Sequence, residues 1–263
     1  MRSSAGQSPE RSSLARADAI LACFDDAHPT MSLPAIVAAT GLPKTTVHRA
    51  IEKLLELGWL EQQRINGAIG HGRDRYAVGR RLFEIATLAH LRTDLREAAL
   101  PYMEDLYEAT HETIHLAVLD GVHVLYAEKI SGHRRITDLS RVGGRMPSHC
   151  TAVGKALLAF GPPEAVDAVI AEGLDPRTRT TITSPVKLRA ELEAIRLEGV
   201  AYDREECDIG MACVAAPLFG PDSTCVGAMS ITGPARVLRL DRLAPAVRTA
   251  ALSASRALRT RVE

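Results

Sequence analysis

The chain has 263 residues, 46% of them hydrophobic, which suits one large domain or two ordinary ones with packed cores. Its 32 Lys and Arg balance 32 Asp and Glu, so overall charge advertises neither a nucleic-acid nor a membrane partner, and any such site has to be a local patch. No run reaches the roughly 20 apolar residues of a membrane span, the opening MRSSAGQSPERSS lacks the apolar core of a signal peptide, and five cysteines without a CxxC pair argue against a disulfide framework or a cysteine zinc knuckle. The expectation is a cytoplasmic protein with thiols that are mostly buried, no membrane partner and no cofactor.

Residues 1–12 are Ser-rich without apolar periodicity and read as a disordered tail. From Ser13 the spacing of Leu14, Ala17, Ile20, Leu21 and Phe24 predicts a helix. Leu33, Ile36, Val37 and Ala38 predict a short second one that stops at Gly41. Pro43 suits the first turn of a third, whose apolar face is Val47, Ala50, Ile51, Leu54 and Leu57. Two short helices around a glycine turn form a helix-turn-helix, and the second presents Lys44, Thr45, Thr46, His48, Arg49 and Lys53 away from its apolar face. Hydroxyls and bases near the start of such a helix reach base edges, while lysine and arginine neutralise phosphates. Trp59 to Arg64 and Arg73 to Val78, joined by NGAIGHG, predict a hairpin wing that adds Arg73 and Arg75. Between Leu42 and Arg80 seven Lys or Arg stand against four Asp or Glu, a surplus of three in a neutral chain. The reading is a DNA-binding domain over residues 13–78.

Residues 79–94 continue as a helix whose apolar face (Leu82, Phe83, Ile85, Ala86, Leu88, Ala89) is wider than the lobe needs, as in a linker that pairs with another chain. Residues 95–263 form the second domain. Pro101 starts or kinks a helix ending near Thr110. Then the period changes: Ile114, Leu116 and Val118 alternate, Asp120-Gly121 turns, and Val122, Val124 and Tyr126 alternate again, a β-hairpin. A basic, glycine-bearing loop (GHRRITDLSRVGGRMP) follows, then helices from about Ala152 to Phe160, Pro163 to Ala171 and Pro185 to Glu198, two strands (Cys213 to Phe219, Cys225 to Thr232), and an amphipathic helix from about Asp241. The pattern predicts an α+β domain with an antiparallel sheet and helices on one face.

HETIH at residues 111–115 fits the HExxH pattern of zinc hydrolases, in which two histidines one helical turn apart hold the metal and the glutamate activates water. The surrounding pattern removes the helix: it ends at or before His111, and alternation from Ile114 makes the stretch a strand. There the two histidines stand roughly 13 Å apart at ~3.3 Å per residue. His115 is expected on the outward or opposite face of that strand.

GLPKTTVHRAIEKLLELGWL, HETIHLAVLDGVHVLYAEKI, RVGGRMPSHCTAVGKALLAF and GMACVAAPLFGPDSTCVGAMSITGPA, in that order, resemble the isocitrate-lyase-regulator (IclR) family of bacterial transcription regulators. The resemblance implies a winged helix-turn-helix, a dimerising linker helix and a GAF-like or PAS-like domain that binds a small effector. It implies double-stranded operator DNA as partner, and a homodimer or homotetramer. In SHCTAVGKA it places Thr151, Ala152 and Val153 where a helix start meets the ligand; open N–H groups and the helix dipole favour a carboxylate there, so the effector is expected to be a small organic acid, aromatic or short-chain. Asp203, Cys213, Ser230 and Thr232 are implied to line the same cavity, with Met146 and Met211 as apolar lining. Cys150 departs from the pattern, which has a small residue, commonly alanine, there. Two other readings stand beside this one: the zinc hydrolase on HETIH, and a thiol redox sensor on Cys213 or Cys207, for which no basic group lies nearby in sequence.

Overall fold

The computed structural model describes residues 12–25, 27–64, 74–88, 93–133 and 140–260. Two compact units divide the chain, within residues 1–90 and 91–263. In the first, α1 (Ser13–Leu21), α2 (Leu33–Thr40) and α3 (Lys44–Glu56) stand in the expected order. Ser32 caps α2 by accepting from the Ala35 N–H, and Gly41 leaves the helix at φ 67°, a conformation glycine enters without a Cβ clash. A three-stranded antiparallel sheet follows, ordered β1 (Thr30–Ser32), β3 (Asp74–Val78), β2 (Leu60–Arg64). The wing hairpin is β2 and β3; β1 is an additional strand, too short to show an alternation. Ile20, Phe24, Met31, Ile36, Val47, Ile51, Leu54, Leu60 and Tyr76 form the core of this unit. α4 (Arg80–Leu88) follows, with Phe83 72% and Ile85 42% exposed.

In the second unit, among the described residues, six antiparallel strands run in the order β6 (Arg145–Pro147), β5 (His123–Ile130), β4 (Thr113–Asp120), β9 (Cys225–Pro234), β8 (Met211–Phe219), β7 (Ala201–Arg204). Both faces are covered, which corrects the expectation of helices on one face. Met229, Ile231, Val214 and Ala216 point into a core with α5 (Thr93–Thr110) and α9 (Leu240–Thr260). Ala117, Ala215 and Ala228 point the other way, against α6 (Ala152–Phe160), α7 (Pro163–Glu172) and α8 (Pro185–Glu198). Small residues on that second face let α6 lie close to the strands. Pro101 lies inside α5, where it removes one ladder hydrogen bond without ending the helix. The basic loop after β5 yields the short edge strand β6, and β7 adds the opposite edge; neither is long enough to announce itself by period.

Candidate functional site

The outer face of α3 carries Lys44, Thr45, His48, Arg49 and Lys53 in solvent, with Thr46 half-buried. This follows from Val47, Ile51 and Leu54 turning inward at helical spacing. Lys53 pairs with Glu56 at 2.7 Å, and His48 Nδ1 lies 3.6 Å from Glu52, so part of the charge is met within the helix. Arg49, Thr46 and Lys53 also border a groove shared with Arg16 and Trp59. Arg75 is engaged elsewhere: its guanidinium donates to the hydroxyl (2.7 Å) and carbonyl of Thr30, tying β1 to the wing. Arg73 lies outside the described residues.

The second unit holds a cavity of about 610 Å³ between the sheet and the start of α6. Thr151, Ala152, Val153, Asp203, Cys213, Ser230, Thr232, Met146 and Met211 all border it. Register explains the gathering, since directly paired residues project from one face. Thr113 pairs with Thr232, Thr232 with Cys213, and Cys213 with Asp203, a polar row across β4, β9, β8 and β7. A second row runs Lys129, His115, Ser230 and Ala215. At the helix start the Thr151 hydroxyl accepts from the Gly154 N–H at 3.2 Å and donates to the Pro147 carbonyl at 3.0 Å. A Cβ on residue 154 would fall 2.2 Å from the Ser148 carbonyl oxygen, so glycine alone lets the helix begin beneath that turn. Ala152 and Val153, in the first turn, have N–H groups with no intrahelical acceptor.

Asp203 is 3% exposed, and its Oδ1 accepts from the N–H of Glu206 (2.8 Å) and of Cys207 (3.4 Å). Burial pushes its carboxyl up to about 7, against the pull of those two N–H groups. Behind it Lys155, fully buried, donates to Glu206 Oε1 at 2.6 Å and Glu191 Oε1 at 3.0 Å. Burial also raises the Glu206 carboxyl, and its Oε2 is buried with no partner among the described residues. The Cys213 thiol is pushed up by burial, and the Cys150 thiol first by its hydrogen bond with Cys207 and then by burial. Space brings a base that sequence distance hid, Arg177, but its Nε donates to the Cys207 carbonyl at 3.2 Å. The Cys213 and Cys150 thiols are held neutral, the opposite of what a reactive thiolate needs.

HETIH sits at a helix exit. α5 ends at Thr110, His111 takes φ 53°, and β4 begins at Thr113. His115 is on the face opposite Ile114 and Leu116, but that face is the cavity wall: the residue is 2% exposed, which corrects the outward reading. Its Nε2 is 2.7 Å from Ser140 Oγ, its Nδ1 3.3 Å from Thr232 Oγ1, and its ring 4.9 Å from that of Tyr126. Thr113, Tyr126, Lys129, Ser140, Cys207 and Asp208 are further lining residues that sequence reasoning missed. The alternation of β4 was the available signal for His115, because it sets that residue apart from Ile114 and Leu116; Tyr126 and Lys129 reach the same face only through the register shift opposite Leu116 and Ala117, which alternation cannot show.

A winged helix-turn-helix joined in one chain to a sheet domain with a polar-walled cavity defines a class, a DNA-binding regulator with a small-molecule sensor domain. The IclR helix-turn-helix domain matches residues 13–64, and the bacterial transcriptional regulator IclR C-terminal domain matches residues 87–256. The chain belongs to the IclR family of bacterial transcription regulators. It is 33% identical over 232 residues to the HTH-type transcriptional regulator KipR of Bacillus subtilis, covering 87% of this chain and 90% of that one. To XynR of Escherichia coli it is 32% identical over 222 residues, covering 84% and 85%. Among solved structures, an IclR homolog from Microbacterium hydrocarbonoxydans in complex with 4-hydroxybenzoate superposes with a TM-score of 0.82 at 28% identity, covering 95% of this chain and 100% of that one. These relatives are transcription regulators, not enzymes, and the chain is a DNA-binding regulator with a C-terminal effector-binding domain. No described helix is long and apolar enough to cross a membrane.

Proposed function

We propose that the protein senses a ring-sized organic acid and converts its binding into a change in operator affinity. The observation that carries this reading is the cavity, where open helix-start N–H groups meet a polar row inside a wall of small apolar residues. The effector carboxylate sits against the N–H groups of Ala152 and Val153, beside Thr151, where the dipole favours negative charge. Asp203, whose carboxyl titrates near neutrality, gives a hydrogen bond to that carboxylate in its protonated form. Ser230, Thr232 and Cys213 line the middle and Met146 and Met211 the apolar wall. At about 610 Å³ the space is that of ring-sized ligands, and an acid of two or three carbons would leave most of it to water. The ligand of the Microbacterium relative, an aromatic acid, supports the same choice.

In this reading residues 13–78 contact double-stranded DNA through Lys44, Thr45, Thr46, His48, Arg49 and Lys53, with Arg73 as a further contact and Arg75 bracing the wing. Residues 79–94 link and dimerise, an assignment supported by the exposed Phe83 and Ile85, so that a homodimer or homotetramer spans a two-fold operator in the cytoplasm. Residues 95–263 bind the effector, which acts only as far as it prefers one arrangement of the dimer. Selection of bound sequences from random DNA, followed by a screen of aromatic acids for altered affinity, tests the whole scheme. On the selected operator, Arg49→Ala is expected to lose roughly 1–3 kcal/mol of binding at fixed salt. Wild-type affinity for that variant would remove α3 from the interface. Ser230→Ala should blunt the acid response with DNA affinity intact, and an unchanged response would remove the cavity from the signal.

A further inference from the structure

The groups so far assigned to the effector carboxylate, the start of α6 and Asp203, give β5 no part. Tyr126, on β5, borders the same cavity. It is 6% exposed, its hydroxyl has no hydrogen-bond partner among the described residues, and its oxygen is open to the cavity. A buried phenol in that condition is uncommon, because the hydroxyl is stripped of water without replacement until a ligand accepts from it.

The sheet register accounts for its position. Tyr126 pairs with Ala117, Ala117 with Ala228 and Ala228 with Pro217, so the phenol is the polar member of a row of small apolar residues. Its own backbone is fixed on both sides, the N–H donating to the Gly144 carbonyl at 3.1 Å and the carbonyl accepting from the Gly143 N–H at 2.8 Å. The ring belongs to the apolar cluster of Ala117, Ala228, Cys150, Ala152 and Val153, which is the cluster that holds the first turn of α6. Burial raises the phenol well above its ordinary range, and after burial the groups that raise it are Cys213, Cys207, Asp203 and Cys150, the surroundings of that same turn. The hydroxyl is therefore a neutral donor at the carboxylate end of the cavity.

The count of donors there selects the acceptor. The N–H groups of Ala152 and Val153 and the phenol each need a lone pair. A carboxylate brings two oxygens with about four lone-pair sites, whereas the single oxygen of a neutral amide or ester carbonyl brings two and leaves a donor empty. We propose that Tyr126 is an effector-binding residue whose hydroxyl donates to the effector carboxylate, as a third donor beside the N–H groups at the start of α6. The inference rests on the acid-sensing reading above, and the test separates the two.

Calorimetry on the full chain uses benzoate, whose carboxylate is its only polar group, with 4-hydroxybenzoate beside it. Tyr126→Phe keeps the ring and removes only the hydroxyl. It should weaken benzoate binding about tenfold or more, the scale of a hydrogen bond to a charged group, and weaken 4-hydroxybenzoate by a similar factor. The melting temperature of the ligand-free variant should stay at the wild-type value, because no protein group loses a bond. A lowered one would show the hydroxyl bound within the protein, and overturns the proposal. A loss confined to 4-hydroxybenzoate overturns it too, by placing the phenol at the ring substituent. If wild-type protein binds benzoate and the variant matches it within about twofold, only the Tyr126 assignment fails; if wild type binds neither acid, the acid-sensing reading fails and takes this proposal with it.

Discussion

The two units of the chain place their working residues in opposite ways. In the DNA-binding unit the core is aliphatic and aromatic, and the candidate contacts stand outside it on α3, each exposed or half-buried. In the sensor unit the candidate groups and their partners are inside: His115, Thr151, Lys155, Asp203, Glu206, Ser230 and Thr232 are all buried. The first unit can change its surface chemistry with little effect on folding, because exposed substitutions rarely move stability by more than about 0.5 kcal/mol. In the second, a substitution at a candidate site residue also touches stability, since each buried polar group is safe only while its partners are present.

The sharpest way to break this contrast is Lys155→Met, which removes the cation that pairs with both Glu206 and Glu191. Loss of one partner of a buried pair costs about 3–5 kcal/mol, and the loss should fall on the sensor unit alone. Trp59, the single tryptophan, lies in the other unit, so urea unfolding followed by its fluorescence should be unchanged while circular dichroism shows an earlier transition. Coincident shifts in both signals would show that the units do not fold independently.

A smaller effect is expected at Asp203. Its folded-state pKa of about 7 exceeds the usual 3.8, so between those values the native protein binds the extra proton. The residue therefore costs stability progressively as pH rises through that window, and the cost levels off above pH 7. Asp203→Asn keeps an oxygen for the Glu206 and Cys207 N–H groups and removes the charge. It should be about 3 kcal/mol more stabilising at pH 8 than at pH 5; a difference independent of pH would mean that the carboxyl is ionised throughout. The smallest effect belongs to Thr151→Ala, which deletes the α6 cap and should cost about 1 kcal/mol. Its thermal shift should be larger without ligand than with it, because a bound carboxylate satisfies the same helix end.

The same contrast decides what the sequence made legible. Helical spacing placed α1, α2 and α3 and turned their charged residues outward without reference to anything distant. Alternation found β4 and β5, and resemblance supplied Thr151, Asp203, Ser230 and Thr232, which border one cavity. It could not show that His115 lies beside Ser230, because that pairing joins strands more than a hundred residues apart. Nor could it show a lysine in AVGKALLAF as a buried one, since its partners stand 36 and 51 residues away. β1 and β6, at 3 residues each, are too short for any period to register.

The rims of the larger sheet carry a last consequence. β6 has 3 residues and β7 has 4, whereas the strands between them have 8 to 10. Among the described residues, then, the terminal strands pair with only 3 and 4 residues of the longer strands inside them, so each rim is stepped, and a foreign strand laid along it would have to change partner partway. Crowded copies of this protein are offered no long straight terminal strand to extend, which disfavours the simplest route to fibrils.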